Sequence, residues 1–175
     1  MVKASATRDF NTALSLTEDY LQQIQQERSN AEEAIRVVKQ ILSGGVPENS
    51  HLFRRKEVSE YLGISMDALR NWEMNGLLTV KRKQNGYRVY TDADIQRLIM
   101  IRSLRCANYS LEAILRMLRQ LSENPDTDIA VILNTPKQDS EIISVCDRLI
   151  VSLSVAEDNA YKIVSMLQDM KVRFL

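Results

Sequence analysis

Two groups of residues could do chemistry, and both are cationic. Arg54, Arg55 and Lys56 stand in a row. Lys81, Arg82, Lys83 and Arg88 follow, with Tyr87 among them and Asn85-Gly86 in between. Clustered cations interleaved with an aromatic suit a polyanion, above all the phosphates of a nucleic acid. Cations at the start of a helix oppose its dipole, and a phosphate there relieves that cost. Catalysis has far less to draw on. His51 is the single histidine and reads as an ordinary linker residue, while Cys106 and Cys146 are the two cysteines. No nucleophile–base pair and no carboxylate dyad stands out. No enzyme activity, metal or cofactor is therefore expected. Cys106 reads as a small buried hydrophobe on an apolar helix face. Two lone cysteines fit a reducing cytoplasm rather than a disulfide framework.

The charge balance says where a polyanion would bind. The chain of 175 residues carries 23 Lys+Arg against 23 Asp+Glu. Residues 1–50 hold 5 basic and 7 acidic side chains, residues 51–121 hold 13 and 7, and residues 122–175 hold 5 and 9. A middle of +6 thus lies between arms of −2 and −4. Hydrophobic residues make up 45%, which argues against disorder, and five Gly with three Pro are few for an all-β chain. No apolar run reaches transmembrane length, and no apolar run follows the charged first nine residues. Neither a membrane partner nor a secretory leader is expected.

These residues need elements to hold them. Residues 1–42 read as an N-terminal helical arm, with one long helix over 7–42. Leu14, Leu21, Ile35 and Leu42 fall on a heptad, with Ile24, Ala31 and Val38 interleaved and Thr17 and Arg28 interrupting. Ser43-Gly44-Gly45-Val46-Pro47 opens a linker over 43–50. In residues 51–121, helices are expected at about 54–62 and 66–75, broken at Gly63, with Ser65 as cap of the second. A hairpin follows over 77–90 around Gln84-Asn85-Gly86. Thr91 and Asp94 form a capping box for the next helix, and Ser110 caps one over 111–121. Residues 122–136 are a polar connector with a turn of helix at 129–133. Residues 137–175 form a last helix. Ile142, Leu149, Ala156, Ile163 and Met170 alternate there with Cys146, Leu153, Ala160, Leu167 and Phe174 in an uncharged seam. So long a stripe predicts a partner chain, and the seam makes Ile142, Cys146, Leu149, Leu153, Ala156, Ala160, Ile163 and Leu167 the candidate dimer contacts. The methionines read as packing residues.

Helix, tight break, helix and basic hairpin make a winged helix-turn-helix. The fold class is thus mostly α, with a small β-hairpin wing and flanking coiled-coil-like helices. The start of the second helix should meet base edges through Ser65, Asp67 and Ala68, with Arg70 and Asn71 beside them. Lys81, Arg82, Lys83, Tyr87 and Arg88 should lie on phosphates, with Arg54 and Arg55 in support. Trp72 and Tyr61 read as core, and Trp72 is carried as a DNA-contact candidate as well. The arm, acidic and set apart by its glycines, is expected to take no part in DNA contact.

The same residues carry a resemblance. Leu69-Arg70-Asn71-Trp72-Glu73-Met74-Asn75-Gly76-Leu77-Leu78 is similar to the second helix and turn of MerR-type bacterial transcription regulators. Arg82 with Gly86-Tyr87-Arg88-Val89-Tyr90 resembles the wing of that family. Asp94, Leu98 and Ile101, then Tyr109-Ser110-Leu111-Glu112-Ala113-Ile114, continue the likeness over residues 52–121. Asn71 stands where the family has an aromatic, and the metal-sensing members' paired cysteines are missing. The resemblance implies a dimer on double-stranded promoter DNA, distortion of that DNA, and RNA polymerase as a further partner. The alternative is a helical adaptor whose winged helix binds protein, against which the row of wing cations argues.

Overall fold

The computed structural model describes residues 1–45, 51–82, 86–135 and 148–174. Lys83, the turn residues Gln84 and Asn85, Ile142, Cys146 and the 137–147 part of the last helix lie outside the described residues, as do linker residues 46–50. The elements run α1 (Val2–Ala6), α2 (Phe10–Ser43), β1 (Phe53–Arg54), α3 (Arg55–Leu62), α4 (Met66–Met74), β2 (Lys81–Arg82), β3 (Arg88–Tyr90), α5 (Asp92–Cys106), α6 (Leu111–Glu123), α7 (Ile129–Asn134) and α8 (Leu149–Phe174). The chain divides into two compact units. One is residues 1–32 with 149–175, the other residues 33–148. The division falls inside α2, not at the glycines after it.

In the first unit α2 and α8 run antiparallel. Lys171 Nζ donates to Asn11 Oδ1 at 2.7 Å, and Gln25 Nε2 donates to Glu157 Oε1 at 3.0 Å. Phe10, Ala13 and Leu167 form a buried cluster, flanked by Ala4, Leu14 and Ile163. Both interruptions of the first heptad belong to the packed stripe. Thr17 is fully buried, its hydroxyl donating to the Ala13 carbonyl at 2.8 Å, and Arg28 forms an ion pair with the buried carboxylate of Glu157. The expected start at residue 7 is corrected to Phe10. Arg8 takes a left-handed φ of 62° and breaks the helix. Asp9 then accepts from the Thr12 N–H at 3.2 Å, and hydrogen bonds from the Thr12 side chain and backbone hold its carboxyl below the usual range.

The seam of α8 has a different occupant from the one expected. Leu149, Leu153, Ala160 and Leu167 are buried within this single chain, in the unit that holds the first half of α2. The far end of the expected seam turns outward, with Met170 and Phe174 exposed. A straight helix drifts about 20° per heptad, so a strict sevenfold pattern leaves the packed face.

The second unit carries the sheet and α3 to α7. Its three strands lie in the order β1-β3-β2, all antiparallel, pairing Phe53 with Tyr90 and Arg82 with Arg88. Strand β1 is unexpected, since two residues before a helix carry no alternation to read. The caps form as expected: Ser65 Oγ accepts from Ala68 N–H at 3.0 Å, Ser110 Oγ from Ala113 N–H at 3.0 Å, and Thr91 and Asp94 exchange bonds of 2.8 and 3.2 Å. Ile95, Leu98, Ile101 and Leu104 on α5 and Ala113, Ile114 and Met117 on α6 are buried. Ala34, Ile35 and Val38 of α2 are buried too, Lys39 lies 3.8 Å from Asp128, and Gly45 accepts from Gln96 at 3.0 Å. Residues 33–45 are therefore part of this unit. Leu42, Tyr61 and Cys106 correct the expected pattern, because all three are exposed. Cys106 ends α5 on the side away from Leu104, and Tyr61 stands off the Val58–Leu62 stripe. Met100 and Met117 pack as expected, whereas Met66, Met74 and Met166 are exposed.

Candidate nucleic-acid interface

The tight break is built at Gly63, whose φ of 61° and ψ of 38° are left-handed. Its N–H reaches the Glu60 carbonyl, and Ile64 N–H reaches Ser59 O at 3.1 Å, so the carbonyls ending α3 are satisfied. The chain then turns into α4, which buries Leu69 and Trp72. Ser65, Asp67, Arg70 and Asn71 are exposed, and Ala68 is partly so. Trp72 is the correction in this set. At 7% exposure it belongs to the core and has no surface to offer a nucleic acid. Asn71 also serves the helix end, accepting from Asn75 Nδ2 at 3.1 Å.

The cations divide into free and engaged ones. Arg54 is exposed, as are Lys81 and Arg82 on β2. Tyr87 is 72% exposed on the wing. Arg55 turns inward instead. Its guanidinium donates to the Met66 carbonyl, and its Nε is buried with no hydrogen-bond partner among the described residues. It links the start of α3 to the start of α4, which positions the second helix. The dipole cost of Arg54, Arg55 and Lys56 is met locally, because Glu57 in the first turn accepts from Arg54 N–H at 2.7 Å. Arg88 is half-buried, and its Nε donates to Glu73 Oε2 at 2.6 Å. Glu73 had no signal beyond its place in the motif, since fifteen residues separate it from its partner.

These groups surround an open cleft of about 590 Å³, lined by Arg54, Arg55, Lys56, Met66, Tyr87 and Arg88 among others. The phenol of Tyr90, next in sequence to the lining residue Val89, is buried. Burial pushes its pKa up, Glu73 adds to that, and Arg55 and Arg88 oppose it. Arg97 closes the turn after α4, its Nε donating to the Leu77 carbonyl at 2.7 Å, and burial lowers its pKa. The arrangement presents cations and a polar helix start. Among the described residues no three His, Cys, Asp or Glu gather for a metal ion, and no helix is long and apolar enough to cross a membrane.

Residues 53–121 match the family described as MerR HTH family regulatory protein. This segment is a MerR-family helix-turn-helix domain. The chain is 30% identical over 79 residues to the HTH-type transcriptional repressor CarH of Myxococcus xanthus, covering 45% of this chain and 26% of that protein. It is 32% identical over 68 residues to the HTH-type transcriptional regulator ZntR of Escherichia coli K12, covering 38% and 48%. With the uncharacterized regulator YyaN of Bacillus subtilis it shares 41% over 64 residues, covering 36% and 46%. The chain thus spans about half or less of these curated relatives, which are named as regulators and not as enzymes. A solved structure, that of HiNmlR, described as a MerR family regulator lacking the sensor domain and bound to promoter DNA, aligns at a TM-score of 0.42. Its identity is 23% over 70% of this chain and 78% of that one.

Proposed function

We propose that this chain is a transcription regulator that binds double-stranded promoter DNA through its MerR domain. The observation that supports it best is the cleft, where the start of α4, the wing and the row Arg54–Lys56 meet around one cationic hollow. Ser65, Asp67 and Ala68 face base edges in the major groove. Arg54, Arg70, Lys81 and Arg82 lie on phosphates, with Lys83 and Tyr87 alongside. The relatives' names as transcriptional repressor and regulators agree with this reading. Dimerisation, DNA bending and contact with RNA polymerase extend it.

The dimer reading shifts with the packing of α8. Leu149, Leu153, Ala160 and Leu167 are occupied within the chain, so the contact between copies falls to the open flank of α8. There Val155, Met166 and Met170 are exposed, with Ala156 partly so. The test is selection of bound fragments from genomic DNA, followed by titration of the selected duplex at several salt concentrations. A linear fall of log K with log salt on a discrete site is expected. Wild-type protein that shows no salt-dependent duplex binding would sink the reading.

A further inference from the structure

Glu73 is a carboxylate set among cations. It lies in the last turn of α4, its side chain is 20% accessible, and it holds the Arg88 guanidinium, itself 26% accessible. Arg88 stands directly opposite Arg82 across the β2–β3 ladder. Two like charges facing each other on neighbouring strands repel. Arg88 also lines the cleft with Arg54, Arg55 and Lys56. Glu73 therefore does two things at once. It neutralises the Arg88 charge that would otherwise press on Arg82, and it ties the wing strand to the groove-reading helix through a charge-assisted bond.

We propose that Glu73 is a specificity-determining residue of the DNA interface, holding Arg88 as a fixed strut between wing and second helix and withholding its charge from phosphates of arbitrary sequence. The inference rests on the DNA-binding reading above. A free Arg88 would add a phosphate contact that any sequence offers, raising non-specific affinity without information. A tethered Arg88 instead fixes the distance between the base-reading turn and the phosphates under Lys81 and Arg82.

The test uses the full chain, a random-sequence duplex and the duplex selected from genomic DNA. Glu73→Gln keeps an oxygen for the Arg88 Nε–H but removes the charge. Its salt slope on random duplex should steepen by about one, so that lowering salt fourfold gains it about threefold more affinity than wild type gains. Its preference for the selected duplex should fall by a similar factor. Added to Glu73→Gln, Arg88→Gln should cancel the gain, because the double variant restores the net charge of the pair. A Glu73→Gln slope equal to wild type, or weaker binding to both duplexes in proportion, would overturn the proposal and leave the pair a structural contact. If wild type itself shows no salt-dependent binding to either duplex, the DNA reading fails instead.

Discussion

Gly63 and Ser65 carry the geometry of the turn between α3 and α4, and each does so by a different physical route. An added Cβ at Gly63 would find nothing closer than the Arg102 guanidinium at 3.9 Å, so space is not the constraint. The left-handed φ is, and Gly63→Ala should cost about 1–2 kcal/mol of stability in urea unfolding. Ser65→Ala removes the acceptor for the Ala68 N–H and should cost about 1 kcal/mol. Asp67 is exposed in the first turn of α4. Asp67→Ala should therefore alter base preference at one position by ~1–3 kcal/mol while leaving the salt slope alone. Titration on selected and random duplexes checks this, and an equal loss on both would remove Asp67 from base reading. The caps and the glycine break were legible in the sequence because each is a local event spanning three or four residues. The burial of Trp72 and the exposure of Tyr61 and Cys106 depend on which neighbouring element covers which side of the helix.

The pairing of α2 with α8 turns on a polar lock. Glu157 is 8% exposed and accepts from Gln25 and Arg28, while the Arg28 side chain is 37% accessible. Removing Arg28 strands a buried carboxylate, whereas removing Glu157 leaves a long cation that reaches water. Arg28→Leu should thus cost about 2 kcal/mol or more, and Glu157→Leu clearly less. Chemical denaturation of the two variants decides it, and the opposite order would show that the lock contributes no stability of its own. Leu153→Asp places a charge on the packed face of the same pair and should cost several kcal/mol, on the order of 3. The expected sign is loss of helical signal and an earlier thermal transition. Unchanged unfolding would mean that α8 does not depend on α2. The heptads on both helices were readable from spacing alone. Their mutual pairing was not, because an apolar stripe specifies that it must be covered and says nothing of the covering element.

At the scale of the chain, the arm is divided between two units. Residues 33–45 bury Ala34, Ile35 and Val38 in the unit that contains the MerR domain, and they add the Lys39–Asp128 and Gln96–Gly45 contacts. Deleting residues 1–45 should therefore lower the stability of that unit by about 3 kcal/mol, as loss of two or three buried aliphatic side chains implies. Deleting residues 1–32 should spare it and instead uncover Leu149, Leu153, Ala160 and Leu167, raising self-association. Urea unfolding and sedimentation of both truncations read the two effects separately. Equal destabilisation by both would show that α2 acts as one piece.

Charge segregation, capping residues, the Gly63 break, the wing composition and the motif over 69–90 were determined by the sequence itself. Each rests on residue type and short spacing, which a chain states directly. Three matters were decided only by the tertiary structure: that Arg88 is held by Glu73, that Arg55 turns inward to Met66, and that the seam of α8 is covered from within the chain. All three are contacts between residues distant in sequence. Which charge meets which counter-charge depends on the packing of whole elements, and spacing along the chain carries no record of it.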